Sequence, residues 1–293
     1  QSIIFWLERF IQIETIITIM RKIGLRNILR FWHNKQQHNR VNWYRTLQIN
    51  FTLLPFRVAK KMPILIYGPC ELGILRGNVK FSSEPYRGML QLGLTDPLRT
   101  ISTPSFISIT GNLHIGKNTI LRRGTRIVIE PEATLQIQDY VSVGACCSIQ
   151  VSTNISIGKA TSIGNNTTIM DTDFHYIVDT TNNCVKNNKA PIEIGEHNWI
   201  GSYCTIKKGT KTPKGTIIAG PNSMTSKDYT NIVKEYSLVA GSPAKLVAEN
   251  RRRINNIHSE KVLRDYFKKS QEFYTIEADQ LESFCLPNLN NKC

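Results

Sequence analysis

A period of six constrains this chain more than any other feature. Aliphatic residues recur at Ile109, Ile115, Leu121 and Ile127, with Gly111, Gly116 and Gly124 between them. The spacing resumes at Ile137, Val143 and Ile149, again at Ile157, Ile163 and Ile169, and finally at Ile194, Ile200, Ile206, Thr212 and Ile218. An aliphatic followed by a small residue describes a short strand that turns one side chain inward and then rounds a corner where bulk would collide. Stacked coil on coil, such strands pair with their neighbours and bury a continuous aliphatic ladder. The steps 127 to 137, 149 to 157 and 169 to 194 exceed one hexad by four, two and nineteen residues, which predicts loops leaving the prism at those points.

The 293 residues, 41% of them hydrophobic, are enough to bury a large core. With 37 basic and 22 acidic side chains the chain carries +15, which favours acidic partners without choosing among them. Seven cysteines form no CxxC pair, so neither a disulfide framework nor a thiolate zinc site is signalled. The chemistry reads as cytoplasmic, with peripheral contact at the inner face of the membrane as an extension.

Residues 1–50 form an expected helical segment. Ile3, Leu7, Phe10 and Ile11 share a helical spacing, followed by Lys22, Arg26 and Arg30. Glu8, Arg9 and Glu14 interrupt the apolar run, which argues against a spanning helix and a signal peptide. Greasy on one side and cationic on the other, the segment suits an anionic membrane surface or packing on a neighbouring subunit. Residues 51–248 form the expected β-domain, with an irregular start over 51–105. Residues 249–285 predict an amphipathic helix with a basic face, and 286–293 a tail. The triplet Arg251, Arg252 and Arg253 lacks stacking aromatics and a binding fold, so no nucleic-acid partner is expected.

Five stretches carry a resemblance: IGKATSIGNNTTI, DTDFH, IGEHNWIGSYCTI, SKD from Ser226, and VAGSPAK ending at Lys245. Through them the chain resembles the hexapeptide-repeat acyltransferases, specifically the O-acetyltransferases that include galactoside, maltose and polysaccharide-modifying enzymes. That resemblance implies a left-handed parallel β-helix with three hexads per coil, a homotrimer with sites between subunits, acetyl-CoA as co-substrate and a carbohydrate acceptor. It covers roughly residues 137–245.

The break after Ile169, a loop over 170–192, carries the expected chemistry. His175 matches the family's catalytic histidine, and imidazole suits proton abstraction near neutrality. Asp171 and Asp173 precede it. Either could orient the imidazole, cap the turn or bind the acceptor, with Asp173 ranked first for orientation and Asp171 assigned to the sugar. In the family the WIGS segment lies beside the thioester: the Ser202 backbone N–H resembles the oxyanion donor, Gly201 admits the carrier, and Trp199 lines the groove or covers an interface. Ser226, Lys227 and Lys245 match positions expected along the coenzyme A groove, the lysines facing its phosphates. Pro221 and Asn222 stand where the family has two small residues. Cys146 stands where galactoside-type enzymes place an Asn near the thiol, and with Asp171 it is assigned to binding the acceptor. No metal is expected, because a zinc carbonic anhydrase on the same prism would need three converging imidazoles and His114 lies several coils from His175 and His197. The alternatives to sugar O-acetylation are N-acylation of an amino sugar or nucleotide sugar, and a non-catalytic trimeric carbohydrate-binding scaffold.

Overall fold

The computed structural model describes residues 39–95, 102–268 and 272–286. The helices expected over residues 1–38 and the tail over 287–293 lie outside the described residues. Three parallel sheets of nine, seven and six strands form the faces of a prism, and a short hairpin stands apart. The fold is the expected parallel β-helix, flanked by helices.

Seven coils begin on the first face with Ile64–Ile66, Leu90–Leu94, Thr119–Arg122, Ser142–Val143, Ser162–Ile163, Trp199–Ile200 and Ile217–Ala219. The second face runs from Cys70–Leu75 through Arg126–Ile129 and Thr168–Met170 to Met224–Thr225. The third runs from Asn78–Phe81 to Lys211–Thr212. Periodic aliphatics fall in register from coil to coil, as in Ile127↔Ile149↔Ile169↔Ile206, and these side chains are essentially solvent-free.

The prism begins earlier than the hexads indicate, since residues 64–94 already supply coils. Of the three slips, all at the corner between the second and third faces, only the last leaves the prism. The other two arise because strands there bury two side chains each: Ile127 with Ile129, and Ile149 with Val151, followed by turns at 130–133 and 152–153.

A stack of coils leaves an unpaired edge at each end, and edges need cover. At the start, α1 (Trp43–Leu53) lies under the first coil. Asn50 Nδ2 donates 2.7 Å to Ile64 O, its Oδ1 accepts from Ile64 N at 3.2 Å, and Thr46 Oγ1 accepts from Ile66 N at 3.0 Å. At the far end Tyr229 and Val233 plug the core, Tyr229 donating to Ala244 O at 2.9 Å, while Lys245–Ala248 folds back antiparallel on Leu238–Ala240.

The C-terminal helix is shorter than expected. α2 (Phe56–Ala59) follows α1, and α3 spans only Ile257–Phe267, begun by Asn256, whose side chain accepts from His258 N and Ser259 N. Residues 250–256 are non-helical because they are pinned to the prism. Arg251 N donates to Tyr236 O at 2.7 Å, and the Arg252 and Arg253 guanidinium carbons lie 3.9 and 4.9 Å from the ring centres of Tyr236 and Trp199. The short α4 (Leu281–Cys285) returns to this strap through Asn255 N and Cys285 O. Among the described residues no helix is long and apolar enough to cross a membrane.

Because Asn50 is solvent-free and satisfies both polar groups of Ile64, Asn50→Ala should cost about 2 kcal/mol through stranded backbone groups. A melting temperature several degrees lower in calorimetry is the expected result; an unchanged melting temperature would show that the edge is protected otherwise.

Candidate functional site

The predicted residues sort onto two corners of the prism. On the corner between the second and third faces, residues 171–191 leave the fifth coil, form a hairpin pairing Val178 with Val185, and return at Ile192. Asp171, at the neck, is fully buried. Its carboxylate accepts from Ser152 N at 2.7 Å, and from Thr153 N and Thr153 Oγ1, both at 2.8 Å. It caps the turn of the coil below and offers no accessible oxygen to an acceptor, which corrects its assignment to the sugar.

Asp173 is the second fastening. Its N–H donates to Asn188 O at 2.8 Å across the neck. Lys208 Nζ lies 2.8 Å from its Oδ2, and Lys207 Nζ lies 3.2 Å from Oδ1 without hydrogen-bond geometry, so Lys208 is the stronger holder. Lys208 Nζ also donates to Asn187 O at 2.9 Å and thereby ties both legs of the loop to the coil above. The Lys208 ammonium, with Lys207 beside it, holds the Asp173 carboxyl below the usual carboxylate range against a smaller opposing effect of burial. Asp173 thus faces lysines, and its link to His175 is through the backbone, His175 N donating to Asp173 O at 2.7 Å. Phe174 between them takes a left-handed φ of 61°, with its N–H on Thr172 Oγ1 at 3.0 Å. The reversal presents His175 to solvent beside exposed Phe174, Tyr176 and Ile177. Ser226 and Lys227 stand exposed on this same corner at the last coil.

The corner between the first and second faces holds the other group. Trp199 stands on the sixth coil, 41% exposed, with Gly201 and Ser202 rounding the corner after it. A Cβ on Gly201 would lie 2.4 Å from Gly220 N, so the coil above already forbids a side chain, independently of any carrier. Ser202 Oγ accepts from Asn165 N at 3.1 Å and stitches two coils together. Above it come Asn222, at a left-handed φ of 65°, and then Lys245, exposed just past the corner. Cys146 lies on this corner two coils below Tyr203, in the column Cys146, Asn166, Tyr203 and Asn222, all at positive φ. Asn165 and Asn166 occupy the coil between. The NN dipeptide one coil before the WIGS corner is the sequence signal of this pair, which lies within IGKATSIGNNTTI without an expected role of its own.

Arg253, in sequence only one member of a basic triplet, lies against Trp199 on the first face. Burial lowers its pKa, and its Nη1 is buried without a hydrogen-bond partner, so a poorly solvated cation is pressed on Trp199. Only its stacking partner, far away in sequence, reveals it.

The two corners stand one face apart, roughly 15 Å for five extended residues. Among the described residues no hydrogen bond, ion pair or ring contact links His175 to Trp199 or Ser202. No group of three or more metal-ligating side chains is found there either: His114 lies on the third face, His197 on a corner, and His175 on the loop.

No family model matches the chain. A curated relative, named probable acetyltransferase Rv3034c from Mycobacterium tuberculosis, is 28% identical over 165 residues. The match covers 55% of this chain and half the length of that relative. Among solved structures, the polysialic acid O-acetyltransferase OatWY is 21% identical at a TM-score of 0.46, over 73% of this chain and 98% of that one. The polySia-specific acetyltransferase NeuO is 18% identical at a TM-score of 0.41, over 73% and 91%. The class named by the curated relative is the one that the motifs resemble.

The latch at the loop neck has a pH signature. It is complete above the ordinary carboxylate pKa, near 3.8, and is lost only as pH falls through the lower folded value. At neutral pH Lys208→Met should leave the fold intact and increase proteolytic cutting within 174–187. If the loop carries the chemistry, turnover should fall about 10-fold at unchanged donor KM, and Lys208→Arg should restore most of it. Equal cutting of Lys208→Met and the native chain would remove the latch.

Proposed function

We propose that the chain is an acyltransferase that moves an acetyl group from acetyl-CoA to a sugar hydroxyl of a surface polysaccharide or its lipid-linked precursor. The observation that carries this is the one long insertion among the described coils, which leaves a rigid prism on a buried acid and a lysine latch and presents His175 to solvent.

The step needs no covalent enzyme intermediate. With acceptor and acetyl-CoA bound together, the His175 imidazole takes the hydroxyl proton as the oxygen attacks the thioester carbonyl. The tetrahedral oxyanion is held by the Ser202 N–H, and collapse breaks the carbon–sulfur bond. The imidazolium returns its proton to the leaving thiolate. Lys227 and Lys245 offer charge to the donor's phosphates, and Trp199 lines the donor groove.

His175 and Ser202 occupy different corners of one prism, so we place the reaction between two copies, one giving the loop and the other the WIGS corner. A trimer closes that arrangement by heterologous contacts in a ring, and the exposed Phe174, Tyr176 and Ile177 suit burial against a neighbour. The apolar and basic pattern of residues 3–45 suits an anionic membrane surface where a lipid-linked acceptor would be presented.

Incubation of candidate oligosaccharides with acetyl-CoA should yield products one acetyl heavier by mass spectrometry. His175→Ala should lower turnover at least about 100-fold, with a native-like solution mass near three times 33.4 kDa. Equal rates for both proteins would remove His175 from the mechanism. Acetyl groups that resist mild alkali would mark amides and turn the assignment to amino-sugar N-acylation. Liposome flotation with anionic lipid should depend on residues 1–45, and identical flotation without them would sink the membrane proposal.

A further inference from the structure

The third face carries a feature that the acyl-transfer chemistry does not use. Its outward side chains form one polar ladder in strict register: Lys80, His114, Gln136, Ser156, Glu193 and Lys211. A second ladder, Asn78, Asn112, Thr134 and Asn154, runs beside it and is wholly amide or hydroxyl. Two shallow troughs of about 430 and 380 Å³ share Gln136 and Gln138 and so join along the face. Six strands at about 4.8 Å spacing make a track of roughly 24 Å. The first face is overlaid by the C-terminal strap, and the second mixes outward Phe106, Val128, Met170 and Met224 with Arg126, Gln150 and Lys207, so the third is the uniformly polar one.

Charge is uneven along the track. In the lower trough Lys80, His114 and Lys159 face a single acid, Asp139, whose Oδ1 already accepts from Lys117 N at 2.7 Å and from Ser82 Oγ at 2.9 Å. In the upper trough Lys211 pairs with Glu193 at 2.8 Å, and Glu196 adds a second acid. The lower end is therefore cationic, the middle is neutral and rich in hydrogen-bonding groups, and the upper end carries a net negative charge, so the anionic groups of a ligand belong at the lower end. Phe81 adds one apolar ring at the cationic end.

We propose that this face binds an extended acidic glycan, with carboxylates at Lys80, His114 and Lys159 and hydroxyls along the amide and hydroxyl ladders. The proposal rests on the carbohydrate acceptor reading and deepens it: the track holds the polymer while a terminal or looped sugar reaches the reacting corner. Coil spacing of about 4.8 Å lets successive sugar units of an extended chain meet successive rungs of the ladders. Single-stranded nucleic acid fits less well, because it needs a row of stacking aromatics and Phe81 is the one aromatic lining either trough.

The test is calorimetric titration of the full chain with a hexameric oligouronate and with its carboxyl-reduced, neutral counterpart. The acidic oligomer should bind, more weakly as salt rises, and the doubly substituted Lys80→Ser, Lys159→Ser protein should bind it about 10-fold less tightly. A far-ultraviolet spectrum and melting temperature like the native ones should accompany that loss. Acetyl transfer to a monosaccharide acceptor should be unchanged in this variant, while KM for a polymeric acceptor rises. Equal binding by the variant, or equal binding of the neutral oligomer, overturns the proposal. So does displacement of the oligomer by coenzyme A, which would make the donor's phosphates the anion recognised, or tighter binding of a single-stranded oligonucleotide at the same lysines. The titration needs no turnover, so loss of the acyltransferase reading leaves it interpretable. Intact acetylation with unaltered binding removes the track alone.

Discussion

Each inner strand of the prism finds its backbone partners in the coils above and below it, and everything else depends on that vertical ladder. It fixes which side chains are inside, because inward and outward alternate and one slipped residue would invert every face. It also makes the ends critical. The chain uses a buried amide and a threonine hydroxyl at the first coil, and Tyr229 with a folded-back strand at the last. Stacking satisfies the middle of the prism; the ends need dedicated side chains.

The corners pay for the tight coil in backbone conformation. Asn118, Tyr140, Ala160, His197 and Tyr236 form one left-handed column, joined by Gly215, and Cys146, Asn166, Tyr203 and Asn222 another. Few of these are glycine, so side chains are held in a disfavoured region by the ladder on either side. True glycine demands arise where coils meet backbone to backbone, as at Gly164, whose Cβ would lie 2.4 Å from Ser202 N. Gly201, the motif glycine read for carrier access, has the same structural cause, since its Cβ would lie 2.4 Å from Gly220 N.

The hexads made the faces and their order legible, since an inward aliphatic every six residues has one economical packing. The first two coils were less legible because Gly73, Gly88 and Gly93 and an irregular register break the period there. The slip from Ile127 to Ile137 misled for a related reason: counting one aliphatic per strand hides a second inward residue such as Ile129. Within the candidate site, the position of His175 on an insertion was readable from the break alone. The different tasks of the two acids were not, since the Ser152 and Thr153 donors that claim Asp171, and the lysines that claim Asp173, come from other coils.

That division explains how an exposed loop can be positioned by a rigid body. Asp171 fastens the departing leg to the coil below, and Lys208 fastens both legs to the coil above, so the loop is held between two rungs of the ladder. The neck inherits the stiffness of the prism, while the tip keeps its apolar side chains outside. A histidine so placed stands a whole face away from its own WIGS corner. The same stacking that makes the prism rigid therefore separates the two residues proposed as base and oxyanion donor within one chain, which is the reason for proposing chemistry at a junction between copies, where a neighbour's corner can meet the loop.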